Sequence, residues 1–208
     1  MKINTINCRK CHAPLALHGN IHRCRNLICQ YCGTVMDSRN DFKALYSFTH
    51  IQSNSSELRI GMQGMILGVS FEITGFITYV CKESEWLQFQ LYSVTHGYAK
   101  LIIKDGKFIF LKKTHYLPNQ NLWLLKSNDI FIAQKKTFRI QSFYFTEIYY
   151  AAGNLIETIK QGKRNKQCFA KSNGHWFQSI HRRDSVENFI GFEMSGELLG
   201  ELFVAKRM

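Results

Sequence analysis

From Leu58 onward, short apolar and aromatic runs are punctuated by Gly, Asn and Asp. Turn residues recurring at intervals of roughly eight to twelve positions suggest strands of a meander that closes into a barrel or sandwich. In Val69-Ser-Phe-Glu-Ile73 apolar and polar positions alternate with period two, the pattern of a half-buried strand. The pattern predicts strands near 64–68, 70–80, 86–92, 98–103 and 107–113. Lys104-Asp105-Gly106-Lys107 is a hairpin turn of the Asp-Gly kind, and Thr95-His96-Gly97 is a second turn. Trp86, Phe89, Leu91, Tyr98, Leu101, Phe108 and Phe110 then become core positions. The apolar stretch from Met62 to Cys81 approaches the length of a membrane span. Gln63 and Glu72 fall inside it, and a carboxylate in hydrocarbon costs about 2.5 kcal/mol or more, so it reads as a strand.

Residues 114–130 carry loop signals, with Pro118, Asn119, Asn121 and a turn at Ser127-Asn128-Asp129. A second β set follows. It opens with the aromatic run from Phe138 to Tyr150 and the turn Ala152-Gly153-Asn154. A strand is expected near 155–160, then the turn Gln161-Gly162-Lys163, a strand near 166–171 and a turn at Asn173-Gly174. His175 to Glu187 fits strand or loop, and the tail from Phe189 fits a strand with a short helical or extended end. The expected fold class is mostly β. The sub-sheets would cover about 58–117 and 130–208 within a β-rich domain over 58–208. Ahead of it, residues 38–57 read as a linker, marked by the polar run Gln52-Ser-Asn-Ser-Ser56.

The first 37 residues follow a different rule. Cys8/Cys11 and Cys29/Cys32 are two Cys-x-x-Cys knuckles separated by seventeen residues. That is four-cysteine zinc spacing. A two-residue gap lets one tight turn present two thiolates to one tetrahedral ion, and Gly19-Asn20 can turn the chain back. A zinc ribbon over 1–37 with one structural Zn²⁺ is therefore expected. Gly33 follows Cys32, where a knuckle turn needs positive φ, whereas the first knuckle has His12 at that place. Cys24 is a spare thiol or an alternate ligand, and His12, His18 and His22 are also within reach in sequence. A closed four-thiolate site leaves no position for water, so its role is structural.

Charge narrows the partners. The net charge is +12, unevenly spread. Residues 1–43 carry seven Lys/Arg against Asp37 and Asp41, and residues 160–183 carry seven with no acid. Lys163, Arg164, Lys166, Lys171, Arg182 and Arg183 form a candidate anion-binding set. Such clusters favour an acidic protein, an anionic membrane surface or nucleic acid, or simply keep loops solvated. The chain has seven cysteines, four of them in metal spacing, and no apolar signal core at its start. A reducing cytoplasm is the expected compartment. No phosphate loop, dinucleotide fingerprint, zinc-protease helix, nucleophile elbow or deaminase signature occurs, so the expectation is a non-enzyme.

The second domain resembles the bacterial domain of unknown function 4178 family. The likeness rests on Leu58-Arg-Ile-Gly61-Met-Gln-Gly64, Gly68-Val-Ser-Phe71-Glu-Ile-Thr-Gly75-Phe-Ile-Thr-Tyr79, Trp86-Leu-Gln-Phe-Gln-Leu91-Tyr and Gly97-Tyr98-Ala-Lys-Leu101. Glu147-Ile-Tyr-Tyr-Ala-Ala-Gly153-Asn-Leu155 resembles the family's aromatic strand and turn, with Asn154 in place of its Glu. The resemblance implies an N-terminal zinc ribbon and a role as an accessory component of a membrane-stress or membrane-remodelling system of the phage-shock-protein-A kind. It supplies no catalytic residues. The expected function is a non-enzymatic zinc-ribbon adaptor with a protein partner, cytoplasmic or peripheral at the inner membrane. The alternative is a nucleic-acid-binding ribbon protein, for which Arg9, Lys10, Arg23 and Arg25 surround the knuckles.

Overall fold

The computed structural model describes residues 5–51, 56–82, 84–182, 185–195 and the backbone of 203–204. In chain order its strands are β1 (Thr5–Asn7), β2 (Pro14–Ala16), β3 (Asn26–Ile28), β4 (Thr34–Asp37), β5 (Lys43–Ser47), β6 (Gln63–Ile66), β7 (Val69–Val80) and β8 (Glu85–Ser93). They continue as β9 (Gly97–Lys104), β10 (Lys107–Thr114), β11 (Ile130–Ala133), β12 (Lys136–Leu155), β13 (Asn165–Ser172), β14 (His175–Arg182), β15 (Ser185–Met194) and β16 (Phe203–Val204). The fold is nearly all β, as the alternation predicts. Among the described residues the helical elements are two single turns, Ile21–Arg23 and Leu122–Leu124.

Eight antiparallel strands close a barrel in the order β7-β8-β9-β10-β15-β14-β13-β12, and β12 returns to pair with β7. The closure depends on the length of β12. Its first half pairs with β13 from Arg139 to Thr146, and its second half pairs with β7 from Glu147 to Gly153. Register shifts at Ile140/Ser142 and Ile148/Tyr150 accompany this change of partner. Bulges of this kind bend and twist a strand, which lets one strand serve two neighbours. The tight hairpins have the residues they require. Asp105 and Gly106 take φ 50 and 71, and Asn173 and Gly174 take φ 36 and 80, as a two-residue primed turn demands.

Inside the barrel, Trp86 of β8 lies 5.7 Å from Phe169 of β13, and the Lys104 ammonium of β9 lies 4.8 Å from the Tyr144 ring of β12. These contacts cross the lumen, so the inward face of β8 carries Trp86, Gln88 and Gln90. The opposite face carries Phe89 and Leu91, in an apolar layer with Phe71, Phe76 and Phe110. A second outer cluster covers the far side. Phe131 of β11 and Leu122 pack over Phe138, Ile140, Cys168, Ala170 and Phe177.

The structure departs from the sequence reading at four places. Ala152-Gly153-Asn154 is not a turn but continues β12. Gly153 pairs with both Gly75 of β7 and Ile28 of β3, at φ +85, and a Cβ there would lie 2.4 Å from the Thr74 carbonyl. The glycine is needed for close backbone approach, a demand that looks like a turn signal in sequence. Residues 156–164 are loop rather than a strand. The supposed linker contains β5, paired with β4 from Ser47 to Lys43. Ile130–Ala133, which lies in the expected second sub-sheet but outside its expected strands, is a strand. Residues 52–55 of the polar run and the tail over 196–202 and 205–208 lie outside the described residues.

The ribbon continues the main sheet through β3, which pairs with β12. Ile28, Val35 and Phe48 belong to the same apolar cluster as the barrel strands, while Leu15, Leu27 and Met36 form a small core beneath Cys8 and Cys29.

Candidate metal centre and basic cavity

Each knuckle is a tight turn closed by backbone hydrogen bonds. In the first, the His12 amide donates to the Cys8 carbonyl at 3.0 Å, and in the second the Gly33 amide donates to the Cys29 carbonyl at 2.8 Å. The two turns are conformational twins, with φ 59 at His12 and φ 66 at Gly33. The Lys10 amide also points at the Cys8 sulfur, at 3.4 Å. Together they bring the sulfurs of Cys8, Cys11, Cys29 and Cys32 within 4.8 Å of one another.

A tetrahedron with metal–sulfur bonds of ~2.3 Å has edges of ~3.8 Å. The Cys8–Cys32 and Cys11–Cys29 sulfur separations are 3.6 and 3.7 Å, so the set fits a metal ion. Burial pushes the Cys29 thiol up. Burial opposes the Cys32 thiolate too, but hydrogen bonds from the Thr34 hydroxyl and amide, with Cys11 and Cys29, outweigh it and bring that thiol down to about 6. Cys24 is not part of the cluster. It is buried, its sulfur donates to the Asn26 carbonyl at 3.2 Å, and burial raises its pKa. His18 is used elsewhere, with Nδ1 3.0 Å from Glu72 Oε1.

The ribbon is fastened to the barrel by polar contacts. The Asn20 amide donates to the Tyr98 hydroxyl at 3.1 Å, and that hydroxyl donates back to the Asn20 carbonyl at 3.0 Å. The Tyr46 hydroxyl donates to the Ile159 carbonyl at 2.9 Å, and the Ile159 amide donates to Asn26 Oδ1 at 2.8 Å. Between ribbon, barrel mouth and the 156–164 loop lies a cavity of about 920 Å³.

A buried charge cluster occupies the cavity wall. Glu157 forms an ion pair with Lys100 at 2.8 Å and accepts from Arg182 at 2.7 Å, and Arg182 also pairs with Glu187. Lys113 pairs with Glu187 at 2.6 Å. Burial opposes the Glu157 carboxylate, but Lys100 and Arg182 outweigh it and hold it down at about 2. At Lys100 burial prevails over the attraction of Glu157, and its pKa falls. Gln88 donates to Glu157 at 3.3 Å, and Gln90 donates to the Asn154 carbonyl at 2.8 Å.

The six expected anion-binding residues are spread over different tasks. Lys163 lines the cavity, and Arg182 lines it while held by its two carboxylates. Arg164 pairs with Glu147 at 2.6 Å and Lys171 with Glu193 at 2.8 Å. The Lys166 ammonium sits 5.3 Å from the Phe145 ring, and Arg183 lies outside the described residues. Arg39, Lys100 and Glu157 escaped the sequence reading, because nothing local marks them as neighbours. Among the described residues no helix is long and apolar enough to cross a membrane. No family model, no curated protein and no solved structure matches the chain.

Proposed function

We propose that the protein is a non-enzymatic adaptor that works at an anionic surface, with a zinc-stapled ribbon fixed to a β-barrel. Four thiolates at tetrahedral separations suit Zn²⁺, and one structural ion per chain is the reading. The observation that carries the surface role is the flap over 116–132. It holds five of the fourteen large hydrophobic side chains that are exposed among the described residues: Tyr116, Leu117, Leu124, Ile130 and Ile132, with Leu124 81% exposed. Residues 112–139 around it carry six Lys/Arg and one acid, Asp129. Apolar tips inside a cationic collar match a bilayer with anionic headgroups, where each Lys/Arg near the surface contributes about 1 kcal/mol. The family resemblance adds the setting, an accessory part of a membrane-stress or membrane-remodelling system with a protein partner.

Co-sedimentation with phosphatidylcholine vesicles, with and without phosphatidylglycerol, tests this reading. Binding should need the anionic lipid, weaken with salt, and fall at least tenfold in Leu117→Asp/Leu124→Asp. Binding that ignores anionic lipid and salt would sink it. Nucleic-acid binding is the second reading. It is favoured by Phe145, which is exposed beneath the Lys166 ammonium as a stacking platform for a single strand. A gel shift that shows no retention even at low salt eliminates it.

A further inference from the structure

The cavity between ribbon and barrel carries chemistry that a surface adaptor does not use. Both carboxylates of its wall, Glu157 and Glu187, are engaged by Lys100, Arg182 and Lys113. Five more cations line it, Arg23 and Arg25 from the ribbon, Arg39 from the segment just after it, and Lys160 and Lys163 from the loop after β12. None of the five has an acidic partner among the described residues. Cations brought from two distant parts of the chain to one rim repel each other, and a multiply charged anion relieves that repulsion. Arginine forks and lysine ammonium groups together are the usual means of holding phosphate.

The cavity's inner wall asks for something different. Gln88 and Asn165 line it at 2% and 5% exposure, and neither Gln88 Oε1 nor Asn165 Oδ1 has a hydrogen-bond partner among the described residues. Gln88 has already given its NH₂ to Glu157, so what remains is an acceptor. Buried acceptors without donors are rare, because each has lost its water without replacement. The missing donors are hydroxyl or amino groups. A volume of about 920 Å³ lies within the range of small-molecule sites.

We propose that this cavity binds a phosphorylated small molecule carrying hydroxyl or amino donors, of the sugar-phosphate or nucleotide class. The phosphate meets the rim cations, and the donors meet Gln88 and Asn165. The site is separate from the exposed Leu and Ile tips of the flap, so either reading can fail without the other.

Calorimetric titration of the whole 208-residue chain, zinc-loaded, tests it, with inorganic phosphate, ribose phosphate, AMP and a short oligothymidylate as probes. Ribose phosphate or AMP should bind at least tenfold tighter than inorganic phosphate. Equal affinities for those two identify the sugar phosphate as the recognised part, and tighter AMP identifies the nucleotide. Arg25→Ala/Lys160→Ala/Lys163→Ala alters exposed or half-exposed side chains and should fold normally, with affinity reduced at least tenfold. Gln88→Met should erase the preference over inorganic phosphate while retaining phosphate binding. The proposal is overturned if no phosphorylated probe binds at millimolar concentration, or if none exceeds inorganic phosphate. It is overturned equally if the triple variant binds unchanged, or if only the oligonucleotide binds.

Discussion

Replacing Glu157 by Gln tests the charge cluster that fills the barrel mouth. Glu157, Lys100 and Arg182 have side-chain exposures of 12%, 8% and 19%, so water screens them little. The carboxylate sits at about 2 in the folded protein against an ordinary 4.5. That difference corresponds to about 3 kcal/mol at neutral pH. Removing one member of a buried ion pair costs a similar ~3–5 kcal/mol, because the remaining charge stays buried and unmatched. For a chain of this size, about 3 kcal/mol lowers Tm by roughly 6–12 °C. The depressed pKa fixes the pH dependence. The contribution is complete above the unfolded value of 4.5 and is lost as pH falls towards about 2. The stability gap between parent and Glu157→Gln, about 3 kcal/mol at neutral pH, should therefore shrink to roughly 1 kcal/mol near pH 3. Urea unfolding of both proteins at the two pH values measures it. A gap below about 0.5 kcal/mol at neutral pH, or one that does not change with pH, refutes the reasoning. Adding Lys100→Met to the variant should restore part of the loss, since it removes the orphaned charge.

Three further outcomes follow from the geometry. Cys29→Ser should drop bound zinc well below one per chain by elemental analysis, whereas Cys24→Ala should keep the full ion and lose only about 1–2 kcal/mol of packing. His12→Gly should stabilise the chain by about 0.5–1 kcal/mol, read as a higher urea midpoint, because φ 59 strains a side chain there and the backbone amide bond at that position survives. Gly153→Ala should lose more than about 3 kcal/mol in thermal unfolding, since its Cβ would meet the Thr74 carbonyl at 2.4 Å and the Gly75 Cα at 2.7 Å.

The ribbon was legible because metal geometry fixes spacing, and the β10 hairpin because only a few residues accept positive φ twice in succession. The polar interior was not. Along Glu85–Ser93 the alternation separates two faces, Phe89 and Leu91 on one and Trp86, Gln88 and Gln90 on the other. The structure buries both faces, and the glutamines line the lumen. Alternation identifies faces; it does not say which one the barrel encloses. Glu157 was hidden for another reason. Leu155 to Lys160 reads as a short strand, but the chain leaves the sheet there to set one carboxylate between Lys100 and Arg182. Those partners come from β9 and β14, so no local pattern announces the loop.

The ribbon and the cavity depend on each other through a short path. Cys29 follows directly on β3, and β3 pairs with β12 through Ile28, Leu27 and Asn26. Asn26 holds the Ile159 amide, and the Tyr46 hydroxyl holds its carbonyl, which fixes the loop that carries Glu157, Lys160 and Lys163. On the same stretch, the Arg25 amide donates to the Leu155 carbonyl at 2.8 Å. An ion held by the four thiolates would therefore do more than staple a piece too small for its own core. It would hold in register the strand that joins the ribbon to the loop carrying Lys160 and Lys163. A spare thiol in that path would invite a competing ligand set. Cys24 avoids this because its buried sulfur donates to the Asn26 carbonyl and stays out of the four-sulfur cluster.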